Sequence, residues 1–475
     1  MSSFSGELLL HLDRRGDESF GSQLKRQLRE AIRAGSLRGG LRLPSTRALA
    51  DQLGISRPVV VDVYEQLAAE GYLQTRQGAR TTVAEVGQLG RRRDSAKPKR
   101  EAAIRYDLRP ATPDLAMFPP KSWLKSMRVA LGRMPHEALG YEGRYGTEWL
   151  RGVLADYLGR VRGVVAEADQ IVVTSGFAEA RALVCAALRM RGVSRLAVED
   201  PSYSNWQSVD QAGLTRIPIP VDSDGIDVDR LELSAAEAVF VTPAHQFPTG
   251  VVLGKERRRK LVAWLRQRPN RFAIEDDYDA EFRYDHAPTG ALQGLVRDKV
   301  LYAGTVSKTL APGLRLGWLV VPRDLVDSVQ LEQRRWSEGC PRIDQNTLAN
   351  FIESGGYDQQ LRRMRRIYRR RREVLIEALG RRLPEAYVTG IAAGLHATVQ
   401  LPGGIDEDGI CAAIARRGVA ADMMHKYRIA SKGLPTLLLG YGRASESALR
   451  TGVRILAQAV ADGRRLGDAQ QRRKS

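Results

Sequence analysis

Cysteine is scarce: three residues in 475, Cys185, Cys340 and Cys411, standing far apart. Their number is odd and no C-x-x-C occurs, so neither a disulfide framework nor a zinc site is suggested. Long apolar runs are missing as well. With no stretch of ~18 uninterrupted apolar residues, no membrane-spanning helix is expected. The N-terminus, MSSFSGELLLHLDRRGDESF, lacks a basic start followed by a long apolar run and does not read as a secretory signal. The expectation is a soluble, cytoplasmic protein with no membrane partner.

Negative charge is short relative to positive: 55 Asp and Glu face 74 Lys and Arg, a net charge of +19, with a sequence pI near 10.1. A strongly basic balance points to nucleic acid or an anionic surface as partner. A composition merely rich in arginine is the alternative, so charge opens the question without deciding it. Hydrophobic residues make up an ordinary 43%, enough for a substantial core. The length exceeds the ~250–300 residues at which one core stops growing, so two or more domains are expected.

Residues 16–85 read as short helices with tight connections. In LPSTRALADQLGISRPVVVDVYEQLAAEGYLQTRQGARTTV (43–83), Ser45 is placed to cap a helix over Thr46–Leu53. Gly54 supplies a left-handed turn. Ser56 then caps a second helix, with Pro58 in its first turn and Val59, Val60, Val63, Tyr64 and Leu67 at apolar spacing. Helix, glycine-containing turn and helix is the arrangement that places a recognition helix in the major groove. GYLQTRQGARTTV reads as two short strands about a Gln77-Gly78 turn, a wing whose Arg76 or Arg80 would reach a minor groove or a phosphate.

Residues 86–105, VGQLGRRRDSAKPKREAAIR, lack periodicity and read as a basic linker. From 106 to 465 the texture becomes α/β. Buried strands are predicted at 171–175, 195–200, 238–243, 271–277 and 299–305, with helices over 176–191 and 254–268 between them. That alternation predicts a mostly parallel sheet covered on both faces. The arginines of LRRMRRIYRRRREVLIEAL (361–379) fit a solvated helix face.

Four segments of this second region carry chemistry. In TVSKTLAPGLRLGW (305–318), Lys308 can form an imine with an aldehyde, while Thr305, Ser307 and Arg315 can bind a phosphate dianion. In IEDDYDAEFRYD (274–285), Asp276, with Asp277 as rival, would hold a proton on a pyridine nitrogen, and Tyr278 would bond the ring's phenolic oxygen. A metal site is the alternative for such paired acids, although no His or Cys lies close in sequence. TSGFAEA (174–180) offers a phosphate cradle from the Gly176 and Phe177 N–H groups and the Ser175 hydroxyl. In EDPSYSNW (199–206), Tyr203 would stack on the ring, and TPAHQFPTG (242–250) would bring His245 or Gln246 to its oxygen.

The run L-P-S-T-R-x-L-A-x-x-L-G-x-S-R, followed by V-Y-x-x-L-x-x-x-G-Y-L, resembles the GntR family of winged-helix repressors. The resemblance implies DNA contacts from Arg47, Ser56 and Arg57. The family's wing G-x-G is replaced by Gly78-Ala79-Arg80. The phrases EDPSY, TPAHQFPTG, EDDYDAEFRY and GTVSK-x-L-x-P-x-LRLG resemble fold-type I aminotransferases, most closely the MocR/GabR group of regulators. This resemblance implies pyridoxal 5'-phosphate (PLP), with Lys308 as Schiff-base lysine, Asp276 at the pyridine nitrogen, Tyr203 against the ring and Arg315 at the phosphate. It also implies a homodimer reading paired half-sites of a double-stranded operator.

The R-L-x-F strand that holds a substrate carboxylate in ordinary aminotransferases reads LLLGYG (437–442) here. Arg428 is the candidate replacement and Arg443 its rival for anchoring a small amino-compound effector. The expected function is a PLP-binding transcription regulator. A working aminotransferase with an appended DNA-binding domain is the alternative, and a cofactor-free dimerising scaffold a third.

Overall fold

The computed structural model describes residues 10–14, 18–75, 81–84, 104–140, 143–284, 290–390, 392–403 and 406–471, the last nine of these as backbone only. Two compact units divide the chain, Met1–Glu101 and Ala102–Ser475.

The described residues of the first unit form three helices and a two-stranded sheet. Helix α1 (Phe20–Arg33) is capped by Ser19, whose hydroxyl accepts from Ser22 N. Helix α2 (Thr46–Leu53) is capped by Ser45, which accepts from Ala48 N at 3.2 Å. It ends at Gly54, whose φ of +61° is costly for any residue with a Cβ. Helix α3 (Arg57–Ala69) begins at Ser56, which has the extended backbone of a cap but makes no side-chain cap bond. Strands β1 (Leu73–Gln74) and β2 (Thr82–Val83) pair antiparallel. Leu24, Leu28, Leu49, Val60, Val63, Tyr64 and Leu67 meet in one core, and the Tyr64 hydroxyl donates to the Pro44 carbonyl, tying α3 to the turn before α2.

The second unit opens with β3 (Tyr106–Asp107), α4 (Pro120–Arg133) and α5 (Glu148–Arg162). An eight-stranded sheet follows, with its helices: β4 (Ile171–Thr174), α6 (Phe177–Met190), β5 (Arg195–Asp200), α7 (Gln207–Gln211), β6 (Thr215–Asp222), β7 (Gly225–Ile226), α8 (Val228–Leu233), β8 (Ala238–Val241), α9 (Lys255–Gln267), β9 (Phe272–Asp276), β10 (Val300–Thr305) and β11 (Gly317–Val320). Spatial order is β4-β11-β10-β9-β8-β5-β6-β7. From β10 through β6 every pairing is parallel, while β11 runs antiparallel to both neighbours. The five strands predicted from apolar runs are β4, β5, β8, β9 and β10. Their carboxyl ends lead into the segments with chemical content, as is usual where helices cover a parallel sheet.

Helices α10 (Val326–Trp336), α11 (Arg342–Glu353) and the 27-residue α12 (Gly356–Arg382) lead to a smaller antiparallel sheet. It comprises β12 (Tyr387–Thr389), β13 (His396–Gln400), β16 (Thr436–Gly440) and β15 (Asp422–Met423), in that order. Helix α13 (Glu407–Arg416) and strand β14 (Val419–Ala420), which pairs parallel with β3, precede β15; α14 (Glu446–Gln471) closes the chain. Arg362, Arg363, Arg366, Arg369 and Arg370 are exposed on α12, while Leu361, Met364, Tyr368, Val374 and Leu375 are buried. Among the described residues no helix is long and apolar enough to cross a membrane.

Removing the Ser45 hydroxyl orphans one helical N–H and costs about 1 kcal/mol. In Ser45→Ala, hydrogen exchange of the α2 amides is therefore expected to quicken roughly fivefold, with the amides of the second unit unchanged.

Candidate functional site

Neighbouring residues on a strand point to opposite faces, so Asp276 and Asp277 at the end of β9 cannot share a role. Asp277 is buried and engaged. It accepts from Arg162 Nε at 2.6 Å and Nη2 at 3.1 Å, and from the Tyr302 hydroxyl at 2.6 Å. Asp276 is partly buried, and its Oδ1 is sealed from solvent without a hydrogen-bond partner. Burial first, then the charges of Asp277 and Asp279, push its carboxyl well above the usual range. The acid at the free position is thus Asp276.

Lys308 follows β10 and donates from Nζ to the Ala111 carbonyl at 2.8 Å. Burial lowers its ammonium pKa, against the opposing charges of Asp279 and Asp276. An amine held toward its neutral form is the more nucleophilic one. Tyr278 is buried, its hydroxyl 3.1 Å from His245 Nδ1, which lies 2.9 Å from Asp279 Oδ2. With Nδ1 turned to that carboxylate, His245 Nε2 is left buried and unpartnered. His396, 5.2 Å from His245 between ring centroids, bonds the Pro248 carbonyl through Nε2, and burial drives its pKa down to about 4. The cluster leaves no room: a Cβ on Gly394 would come within 2.2 Å of His245 Cε1.

Gly176 caps α6 at φ +103°, and a Cβ there would meet the Arg315 guanidinium at 3.3–3.4 Å. Arg315 itself has φ +50°, a strained setting for a residue with a side chain. The Ser175 N–H and hydroxyl both donate to Glu179 Oε2 at 2.5 Å. A carboxylate therefore already occupies donors expected to hold an anion, beside a helix N-terminus and an arginine.

Three of the expected ligand-binding side chains are engaged within the protein. Thr305 Oγ1 bonds the Leu316 carbonyl, Ser307 N and Ser307 Oγ, so it braces the turn carrying Lys308 and has little left for a phosphate. Gln246 gives its amide N–H groups to Glu199, Pro201 and Phe247 and accepts from Thr249, so it is spent tying its own loop to the end of β5. Arg428 donates to the Gly433 and Leu434 carbonyls, and Arg443 pairs with Asp107 at 2.9 Å, so neither guanidinium stands free. Tyr203 is 42% exposed and lies against Arg181, whose guanidinium carbon is 5.3 Å from its ring centroid.

Sequence reasoning passed over Arg162, Glu179, Arg181, Asp279 and His396. Arg181 left a signal, a charge within the apolar stripe Phe177, Ala180, Val184, Leu188 of α6. Glu179 left another, as an acid in the first turn of a helix. In the first unit Arg47, Ser56 and Arg57 are exposed on α2 and at the start of α3. Arg76, Gly78 and Arg80 of the wing turn lie outside the described residues, as do residues 85–103, nearly all of the linker.

A GntR-type DNA-binding head on an aminotransferase-type body is the class that this architecture defines. Residues 20–83 match the model described as bacterial regulatory proteins, gntR family, and residues 111–419 match aminotransferase class I and II. The chain is 32% identical over 474 residues to the probable rhizopine catabolism regulatory protein MocR of Rhizobium meliloti, covering 95% of this chain and 96% of that one. It is 32% identical over 449 residues to the pyridoxine biosynthesis transcriptional regulator PdxR of Corynebacterium glutamicum, covering 94% and 97%. Among solved structures it resembles a multiple substrate aminotransferase from Thermococcus profundus, at 25% identity and TM-score 0.69 over 77% of this chain and 93% of that one. The chain belongs to the MocR-type branch of the GntR-family transcription regulators, DNA-binding proteins with an aminotransferase-like domain.

Two measurements check the electrostatics. Asp277→Asn strips the buried Arg162 of its counter-charge and is expected to cost about 3–5 kcal/mol in unfolding of the second unit. Asp276→Asn, which breaks no bond, is expected to leave the cofactor-free protein within about 1 kcal/mol.

Glu199 and Glu275 are both buried, and burial pushes each up to about 7 from 4.5. Folded protein then holds these protons more firmly than unfolded chain, so their contribution to stability falls as pH rises from about 4.5 to 7. Glu199→Gln is expected to flatten the pH dependence of unfolding between pH 5 and 7 by one proton, about 1.4 kcal/mol per pH unit.

Proposed function

We propose that this regulator binds PLP in its second unit and that cofactor or an amino-compound effector alters its affinity for a double-stranded DNA operator. The observation that carries the reading is the sealed, partnerless Oδ1 of Asp276, within electrostatic reach of the Lys308 amine. A protonated pyridine nitrogen satisfies that oxygen, and a nearby amine suits an aldehyde. The carboxylate of Glu179 on Ser175, beside Gly176 and Arg315, supports anion binding where the phosphate would lie.

In this reading Lys308 holds the cofactor covalently and Asp276 orients it through the ring nitrogen. Ser175, the Gly176 and Phe177 N–H groups, Ser307 and Arg315 take the phosphate. Tyr278 and His245 stand at the ring oxygen, and Tyr203 covers a ring face. Bound PLP supplies an electrophilic carbon and an electron sink. Arg428 is the anchor for an effector carboxylate: a ligand would replace two neutral carbonyls with a bidentate ion pair. Arg47, Ser56, Arg57 and the wing residues Arg76, Gly78 and Arg80 contact DNA.

The active form is a cytoplasmic homodimer. Large apolar residues exposed on and beside α4 at Leu115, Leu124, Leu131 and Leu139, and Trp336 at the end of α10 at 82% exposure, support burial against a second copy.

Operator binding on DNA upstream of the protein's own gene, with and without PLP at fixed salt, tests this function. PLP is expected to change affinity by about 5–150-fold. Lys308→Ala is expected to bind DNA with that response lost and with no Schiff-base absorption. A retained Schiff-base absorption in Lys308→Ala would falsify the lysine assignment. Rapid turnover of amino donors, with operator binding indifferent to them, favours the aminotransferase alternative, for which the intact Lys308 and Asp276 pair speaks.

A further inference from the structure

Arg181 is an unusual residue to find in the interior of α6. It is 3% exposed, and Nη1 is sealed without a hydrogen-bond partner. Among the described residues its one hydrogen bond runs from Nε to the Ser208 hydroxyl at 2.8 Å. No carboxylate among the described residues pairs with it. Three rings surround the guanidinium carbon instead: Tyr203 at 5.3 Å, Phe177 at 5.7 Å and Trp206 at 5.8 Å from the centroids. Two of these rings are anchored, since Phe177 and Trp206 pack on Phe240 at 5.8 and 5.3 Å. Tyr203 is not: it sits 42% exposed on the loop after β5. Among the described residues Arg181 is the one cation over its face.

We propose that Arg181 is a positioning residue of the cofactor site, clamping the Tyr203 ring in its stacking position. This rests on the PLP reading above. The guanidinium is held from behind by two packed rings and a hydroxyl, and so presents a flat, permanently charged plate to the third ring. The loop that carries Tyr203 thereby takes its position from α6, the helix whose N-terminus forms the phosphate cradle. One helix then sets both the phosphate end and the ring-covering end of the site. The same charge opposes the burial that holds Asp276 above its usual range.

The test uses the full chain, and wild-type protein is examined first. Borohydride treatment with PLP must leave a stable mass adduct on Lys308. Its absence overturns the cofactor reading itself, before any variant is made. Given that adduct, Arg181→Met is expected to weaken PLP binding about tenfold, the scale of a desolvated cation–π contact, and to flatten the circular dichroism induced in the cofactor band. Arg181→Lys, which keeps charge but not the plate, is expected to leave the dichroism flattened. Tyr203→Ala is expected to match Arg181→Met, and the double variant to be no weaker than either single one.

Losses that multiply in the double variant, or wild-type affinity and dichroism in Arg181→Met, would overturn the clamp. Should Arg181→Met not fold, Arg181→Lys decides. Flattened dichroism in it upholds the clamp, and wild-type dichroism overturns it.

Discussion

The buried pair of Arg162 and Asp277 is the constraint on which the second unit's chemistry depends. It joins the end of α5 to the end of β9, 115 residues apart in sequence, with both side chains nearly excluded from water. Burying two charges is expensive, and the pair holds because three donors converge on one carboxylate. Its value lies in orientation. With Asp277 locked to Arg162 and Tyr302, the pleat leaves Asp276 one direction in which to point, and its partnerless oxygen follows from that lock. The Asp276 carboxylate is thus placed by its neighbour, and its sealed oxygen has no bond of its own.

Around that fixed point the site is drawn from the carboxyl ends of four strands and the turns that follow them. Ser175 follows β4, Tyr203 follows β5, His245 follows β8 and Lys308 follows β10. Close packing keeps those ends in register. Gly317 admits no Cβ without coming within 3.0 Å of the Gly176 Cα, and Gly304 lies under the Trp318 indole, which a Cβ would approach within 2.4 Å. Arg315 accepts a left-handed backbone between them, the sort of local strain that a surrounding packed sheet sustains.

Much of this was legible because short apolar strands and the residues after them are local features. Ser45, Gly54 and Pro58 predicted the head's helix boundaries, and the apolar runs predicted five strands of the large sheet. What was not legible is instructive. Strand β6, TRIPIPVD, carries Pro218 and Pro220, which argue against a strand. They are tolerated because residues 215–220 pair with β5 on one side only, while β7 reaches no further than Val221 and Asp222. The choice between Asp276 and Asp277 needed Arg162, which no local pattern supplies. Thr305 and Gln246 have the right chemistry for a ligand and lie in the right segments, yet their polar atoms are consumed by bonds within the protein, those of Gln246 partly at the end of β5. Residue type says what a side chain can bond; only packing says whether that capacity is already used.

The bond from Lys308 to the Ala111 carbonyl has a consequence for supply. A lysine held in direct contact by a carboxylate must break an ion pair before it reacts. A main-chain carbonyl is neutral and takes no proton, so the amine leaves it by rotating away, at the cost of one hydrogen bond, roughly 0.5–1.5 kcal/mol. The resting state is therefore a shallow trap. Under the proposed function such a lysine would fill or empty according to how much aldehyde the surrounding solution contains, which is the property required of a gauge.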